Sequence, residues 1–475
     1  MTSEWEIVVG LEVHCELATT TKLFCGCPNH FGDEPNTNVC PVCLGLPGSL
    51  PVLNEQAVEL AIRLGRALHC TVQRSVFARK NYFYPDMPKD YQISQYDLPI
   101  NDGGWLDLPS GQRVGITRAH LEEDTGKSTH VGGGGRIHDA GYSLVDYNRS
   151  GVPLLEIVSE AHMRSSDEAR AYVSELRQVL LATGASDAKM EEGSMRVDAN
   201  VSVHAPGTPF GTRCEIKNLN SLRSLGRAID YEAQRQIEMI GAGEKVRQET
   251  RHWDDGAGRT STLRVKEEAE DYRYFAEPDL VPLDPGAEWI ATVDAALPPM
   301  PAERRARLAE VAGVEATEGA VAIAVDRHLD GLAADAITAG GDATRVLTHV
   351  EHNLAIEGAE RLDPSRLAAL VTMETGGDLT ATQAKTVLVE MVASGDDPAA
   401  IAKAKGFEAM GAGAVEALVD EVIAGHADEW QRYVDGDDKA RGKLTGFFVG
   451  QIMKASKGQA DGKAVTALLR QRAAS

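Results

Sequence analysis

Four of the seven cysteines fall within nineteen residues, as Cys25-Gly-Cys27 and Cys40-Pro-Val-Cys43. Two close thiolate pairs on two turns can close a tetrahedral zinc site. Such a site keeps no open coordination position, so it would fold a loop and perform no catalysis. The first pair is C-x-C, a less usual spacing than C-x-x-C. Free or redox-active thiols are the alternative, and zinc stoichiometry separates the two. Cys15, Cys70 and Cys214 are scattered and read as inert packing residues.

A second constellation is acidic. Glu12 and His14 stand two apart on an alternating segment and so share a face. In Ile116-Thr-Arg-Ala-His-Leu-Glu-Glu-Asp124 the same alternation groups Arg118, His120, Glu122 and Asp124, and sets Glu123 with Leu121 on the other face. Glu156 is the only charge in Val152-Pro-Leu-Leu-Glu-Ile-Val158, and a lone carboxylate in an apolar run is costly to bury without a cation or donor. Three carboxylates and an imidazole from separate segments can gather Mg²⁺ and, through it, nucleotide phosphates. Acids on a strand face are also commonly just solvated, and spacing does not choose between these two readings.

Two other patterns are set aside or left open. Asp124-Thr-Gly-Lys-Ser-Thr129 ends like a phosphate-binding loop, but Leu121 stands where its first glycine belongs and the residues before it are acidic. There is no G-x-S-x-G and no amidase-like serine loop with a paired lysine. Arg79-Lys-Asn-Tyr-Phe-Tyr-Pro-Asp86, Tyr91-Gln-Ile-Ser-Gln95 and Asp271-Tyr-Arg-Tyr-Phe275 interleave aromatics with cations. Such segments stack bases or ribose, and equally pack cores and turns.

The elements that must hold these residues follow from periodicity. Residues 5–17 alternate, with Trp5, Ile7, Val9, Leu11, Val13, Cys15 and Leu17 on one face and Glu6, Glu12, His14 and Glu16 on the other. Residues 114–124 and 195–203 alternate likewise. Residues 55–69 have a helical period, and Ser221 is a good N-cap for a helix carrying Leu222, Leu225, Ile229 and Ile237 inward. Gly132–Gly135 and residues 205–211 read as loops. Strands and helices mix without regular alternation, which predicts an α+β fold dominated by antiparallel pairing. The Leu297-Pro-Pro-Met-Pro301 segment is a linker signal. The expected domains are therefore 1–296, based on an antiparallel sheet, a helical domain over 297–404 and a small helical tail domain over 405–475.

The chain has 475 residues and a formal net charge of −23. The last 37 residues hold eight Lys/Arg (439, 441, 443, 454, 457, 463, 470, 472) against Asp461, a local +7 that leaves −30 on residues 1–438. A protein coated in basic surface is excluded, but a basic tail able to touch an anionic partner is not; a solvated helical face is the plain alternative. No apolar run is long enough to span a membrane. The N-terminus lacks a basic region followed by an apolar one, so no signal peptide is expected. The clustered, odd-numbered cysteines suit a reducing compartment, and the expected location is the cytoplasm.

Taken together, Val9-Gly-Leu-Glu-Val-His14, Arg79–Asp86, Tyr91–Gln95, His120-Leu-Glu-Glu-Asp-Thr-Gly-Lys127, Pro153–Val158, Met190-Glu-Glu-Gly-Ser194, Glu215-Ile-Lys-Asn-Leu-Asn-Ser221, Asp271–Phe275 and the tail Phe448-Val-Gly-Gln-Ile-Met-Lys-Ala-Ser-Lys-Gly-Gln459 resemble the B subunits of bacterial aspartyl/glutamyl-tRNA amidotransferases. The resemblance runs essentially end to end; residues 300–400 match only in general character. It implies a ligase subunit in a heterotrimer with an amidase (A) partner and a small third (C) partner. That complex uses ATP to phosphorylate the side-chain carboxylate of mischarged Glu-tRNA(Gln) or Asp-tRNA(Asn), then amidates it with ammonia from the partner glutaminase. The resemblance assigns Mg²⁺ to Glu12, His14, Glu122 and Glu156, structural zinc to Cys25, Cys27, Cys40 and Cys43, and a polar gate to Glu123 where an ammonia tunnel meets the site. Lys80 and Lys89 are its tunnel-wall and cofactor-binding candidates, the first domain is the catalytic cradle, and the basic tail holds tRNA. The alternative is a non-catalytic tRNA-binding scaffold for an amidase.

Overall fold

The computed structural model describes residues 5–132, 140–265, 272–407, 412–436, 438–456, 459–460 and 462–474, with backbone alone at 264, 265, 412, 438–440, 463 and 474. Gly133–Gly135 of the expected loop, Asp271 of the aromatic segment and Lys457 of the tail lie outside the described residues. The chain forms two compact units, Met1–Ala302 and Glu303–Ser475.

The first unit is built on one large sheet. Its central strands run, in spatial order, Cys214–Leu219, Met195–His204, Glu6–Glu16, Pro153–Ser159 and Arg113–Glu123, each antiparallel to the next. One parallel pair departs from the antiparallel pattern, Cys214–Leu219 beside Glu249–Asp254. The alternation in residues 5–17 becomes an 11-residue strand whose Val9, Leu11, Val13 and Cys15 are buried. They share a core with Ala57 and Leu64 of helix Glu55–Ala67, Val173 and Leu176 of helix Ser166–Thr183, and Leu225 and Ile229 of helix Leu222–Gly241. Asn54, Ser165 and Ser221 cap these helices by accepting first-turn amide hydrogens. With the helices on the apolar face, the polar face of the same strands is left to line a site.

A hairpin, Lys127–Val131 with Tyr142–Asp146, stands apart from that sheet. It was not expected from the sequence. It also explains why Gly126-Lys-Ser128 is no phosphate loop: Lys127 opens an exposed strand, where a phosphate loop requires a helix N-terminus.

The second unit is helical. Several of its helices begin at strong start signals: Asp363-Pro364 and Asp397-Pro398 place the cap and the proline at the first turn, and Thr380 with Gln383 forms a capping box. Its apolar side chains form two clusters, one running from Leu308 to Ala402 and one from Val415 to Leu469. Among the described residues no helix is long and apolar enough to cross a membrane.

One buried polar network ties the edge of the sheet to its helix. Glu232 is fully buried and accepts hydrogen bonds from Arg235 Nη2 at 2.6 Å, Gln236 Nε2 at 2.9 Å and Thr260 Oγ1 at 3.1 Å, with Arg251 Nε at 3.2 Å. Burial works to raise its carboxyl, but these donors hold it below the usual carboxylate range. Glu232→Ala removes the central acceptor and leaves the buried Arg251 guanidinium to Glu249 and Thr260, at an expected cost of about 1–3 kcal/mol, read by urea denaturation. Because the native value is depressed, the network's contribution is fully present above the ordinary carboxylate value. It should fade as pH falls through the depressed one, so the wild-type and variant stability curves converge in acid.

Candidate functional site

Strand register assembles the site. Arg196, His14, Glu156 and His120 lie opposite one another across four neighbouring strands. Two residues along in one direction the row reads Glu16, Leu154, Glu122; in the other it reads Asp198, Glu12, Val158, Arg118. His14 Nε2 stands 3.5 Å from Glu156 Oε2 and 3.8 Å from Glu122 Oε1. The ligand atoms of these three residues all lie within 4.8 Å of one another. His120 Nε2 is 3.6 Å from Glu156, and Arg118 Nη2 is 3.8 Å from its other oxygen.

This group forms one wall of a cavity of about 460 Å³, lined also by Lys80, Tyr82, Gln92, Asp124, Arg196, Asp198, Lys217, Asn218, Asn220 and Tyr272. Arg196 is clamped to buried Asp124 through both terminal nitrogens, and Arg149 Nε lies 3.5 Å from the same carboxylate. Lys217 reaches Asp198 at 2.5 Å and Glu215 at 2.9 Å. Its cation and that of Lys80, whose ammonium lies 4.9 Å over the Tyr272 ring, both face the cavity.

The charges are not balanced locally. Burial, then the neighbouring Glu156, pushes Glu122 up to about 7, and the same two causes raise Glu12. His14 is raised too, which keeps it charged: burial opposes its charge, but Glu156 and then Glu122 hold it at about 9. Burial works to raise Glu156 as well, but His120, His14 and Arg118 hold it well below the ordinary carboxylate range. Buried carboxyls that keep their protons beside an ionised one describe a site with room for a cation. The Nδ1 of His120 is buried with no hydrogen-bond partner. The donor set, two carboxylates and one imidazole, suits a divalent cation that keeps other positions for water or phosphate.

The expected residues are distributed unevenly over this geometry. His14, Glu122 and Glu156 converge. Glu12 points from the same face but accepts a hydrogen bond from Asn200 Nδ2 at 3.0 Å and stands outside the three-residue group. Glu123 faces the opposite side of its strand, where Lys89 Nζ contacts its two oxygens at 2.6 and 2.5 Å and the Ile93 amide donates at 3.1 Å. Lys80 lines the cavity; Lys89 does not. Arg196, Asp198 and Lys217 were not singled out from sequence. Their signal was present in the polar alternates of residues 195–203, Arg196, Asp198 and Asn200, and in the cation of Glu215-Ile-Lys217.

The four clustered cysteines form a second candidate centre. Their Sγ atoms lie within 4.8 Å of one another and no disulfide joins them. The Cys40 amide donates to Cys43 Sγ at 3.1 Å. A hydrogen bond from Cys25, opposed by burial, draws the Cys43 thiol down to about 5, and the charge of Lys22 adds to this. Four sulfurs at this separation, one already thiolate-like, fit a tetrahedral zinc, whose bonds of about 2.3 Å need little inward movement.

Residues 7–291 match the family profile described as the GatB/GatE catalytic domain, and residues 344–472 match the GatB domain. The chain belongs to the GatB family. It is 49% identical over 489 aligned residues to the B subunit of the aspartyl/glutamyl-tRNA(Asn/Gln) amidotransferase of Frankia casuarinae, covering 99% of this chain and 96% of that one. The B subunits of the same name from an Anaeromyxobacter species and Moorella thermoacetica are each 47% identical, covering 99% of this chain and 99% and 100% of theirs. This GatB chain is therefore a ligase-type amidotransferase subunit; the two matched regions cover most of each unit described above and leave residues 292–343 between them.

For a GatB chain with this donor set, Mg²⁺ or Mn²⁺ should bind the isolated protein at one tight site apart from the cysteine centre. Glu156→Gln is expected to weaken Mn²⁺ binding at least tenfold, measured by titration calorimetry. Glu123→Gln, altered on the opposite face, should leave it unchanged.

Proposed function

We propose that this chain carries the two chemical steps of tRNA-dependent amidation in the His14–Glu122–Glu156 cavity. The substrate is Glu-tRNA(Gln), Asp-tRNA(Asn) or both, as in the printed names of its relatives. An oxygen of the aminoacyl side-chain carboxylate attacks the γ-phosphorus of ATP and ADP leaves. Ammonia then attacks the activated carbonyl carbon, phosphate departs, and one proton is lost to give the amide. A carboxylate is a poor electrophile and an acyl phosphate a good one, so ATP supplies the driving force. The observation that carries this reading is the convergence of His14, Glu122 and Glu156 on a cavity rimmed by Lys80, Arg196 and Lys217.

A divalent cation bound there would offset phosphate charge and align the reacting oxygens. The chain's own residues do the rest. Lys80, Arg196 and Lys217 supply positive charge to phosphate oxygens. Asp124 and Asp198 hold Arg196 and Lys217 in place. Glu12, two residues from His14 and held by Asn200, is available to bind the cation by a side-chain rotation. The chain offers no hydrolytic nucleophile motif, which fits ammonia supplied by an amidase partner in a heterotrimer with a small third protein. Glu123 and Lys89, behind the Glu122 strand, suit the side from which ammonia arrives. The cysteine centre holds a structural zinc, and the basic helices near the C-terminus engage the tRNA body.

His14→Ala and Glu12→Ala are expected to abolish amide formation on mischarged tRNA in the assembled complex while the partner's glutaminase still turns over. ATP cleavage on adding mischarged tRNA should be lost in parallel. A wild-type complex that transfers no phosphoryl group would leave only a tRNA-binding scaffold. Removing residues 405–475 should weaken tRNA binding and flatten its salt dependence, measured as the slope of log affinity against log salt.

A further inference from the structure

The cysteine loop and the reaction cavity are contiguous. The Cys40–Cys43 turn is pinned by the Leu44 amide donating to the Cys40 carbonyl at 3.1 Å and the Gly45 amide donating to that of Val42 at 3.0 Å. Gly45 has φ +67, and a β-carbon there would overlap Lys89 Cγ and stand 3.1 and 3.2 Å from Lys89 Cβ and Cα. The stem of Lys89 therefore lies directly on the bare α-carbon of the turn. From that seat, with only 6% of its side chain exposed, its ammonium contacts both oxygens of Glu123, itself 3% exposed. On the other flank, a β-carbon at Gly151 would stand 3.5 Å from Cys43 Cβ, 3.6 Å from Lys22 Cδ and 3.9 Å from Glu123 Oε1. Lys22, 1% exposed, donates to the carbonyls of Asn38 at 2.8 Å and Tyr147 at 3.2 Å. Cys43, the close-approach Gly45, Gly151 in ordinary contact and the buried ion pair thus form a continuous packed block. Glu122 is the next residue in the strand, on the cavity face.

We propose that Gly45 is a positioning residue. By admitting the Lys89 stem, the second cysteine turn seats the Lys89–Glu123 ion pair behind the catalytic strand, and the cysteine loop is thereby a working part of the reaction site. Any larger residue at 45 displaces Lys89, and a buried ion pair that loses its geometry loses more than it gained by forming. The effect is local, because the same loop contains Gly48, also left-handed at φ +86, with nothing within 4 Å of the β-carbon position.

That pair of glycines supplies the test. Gly45→Ala and Gly48→Ala impose similar backbone strain, but only the first meets Lys89. In the full-length chain, acylation of the Lys89 amine, followed by peptide mass spectrometry, should rise at least tenfold in Gly45→Ala and stay near wild type in Gly48→Ala, with zinc content equal in all three. Equal Lys89 protection in both variants, or equal loss in both, overturns the proposal. Should Gly45→Ala fail to fold, adding Lys89→Ala together with Glu123→Gln, which removes the overlapping carbon without leaving a buried charge unpaired, is expected to restore folding; failure to restore it also overturns the proposal. The activity arm rests on the transamidation reading: in the assembled complex, amide formation should fall in Gly45→Ala and not in Gly48→Ala. An exposed Lys89 with undiminished amide formation refutes the working role of the loop. A wild-type complex that forms no amide refutes instead the transamidation reading, and the labelling arm stands independently of it.

Discussion

The site depends on strand register. His14, Glu156 and His120 meet because three antiparallel strands align them in one row, and Glu122 joins from the row two residues along. Side chains alternate across a strand, so a slip of one residue in Arg113–Glu123 would send Glu122 to the far side and bring Glu123 into the cavity. The register is held at both faces. On one, Ala119 and Leu121 are buried in the core. On the other side of the catalytic end, Gln95 Oε1 accepts the Leu121 amide at 3.0 Å and Gln92 Nε2 donates to the Glu123 carbonyl at 2.7 Å. The irregular step between Val158 and Ser159 confines the register shift to the far end of the pairing, beyond Glu156. The chemistry is thus specified by hydrophobic patterning and two glutamines that themselves touch no ligand atom of the group.

Two buried acidic groups, one on a helix against the sheet and one on its strands, show what distinguishes a structural charge from a functional one. Around Glu232 every carboxylate oxygen meets a donor, and despite burial the group is held below the ordinary carboxylate range. Around Glu156 only the central carboxylate is held low, against its burial, by His120, His14 and Arg118, while Glu122 and Glu12 are driven upward, first by burial and then by Glu156. The first arrangement is complete in itself. The second lowers its energy by taking on positive charge, which the neighbouring Arg118 and His14 supply only in part.

Much of this was legible in the sequence, and the limits have physical causes. Alternation over residues 5–17 and 114–124 gave the strands, the shared face of Glu12 and His14, and the opposite faces of Glu122 and Glu123, because a half-buried strand must alternate. Cysteine spacing brought the four sulfurs together. The partners of the site were harder. In residues 195–203 the apolar set dominates, and Arg196 and Asp198 are ordinary polar alternates until the register aligns them with His14 and Glu12. The rotamer that gives Glu12 to Asn200 is set by a neighbouring strand 188 residues away. The Lys127–Val131 hairpin arm is polar and exposed, so it carries no burial pattern to read. Gly45 carries no signal in the sequence, since its requirement comes from Lys89, which packs on it only in the folded chain.

Net charge illustrates the same point at larger scale. The value of −23 averages over regions of opposite sign, and even the local +7 of the last 37 residues is not the charge of a folded element. Residues 412–475 together carry nine acidic and nine basic side chains. Several bases are committed internally: Arg472 forks onto Asp420 at 2.8 and 3.1 Å, and Arg441 donates to the carbonyls of Tyr433 at 3.2 Å and Val434 at 2.6 Å. Exposed Lys443, Lys454 and Arg470 remain on the last two helices, while the acids concentrate on the helices before them. A bundle that is neutral in sum but uneven between its helices attracts a polyanion to the basic helices and repels it from the acidic ones. A surface with so few free cations makes few phosphate contacts, so its affinity for a polyanion would carry a shallow salt dependence.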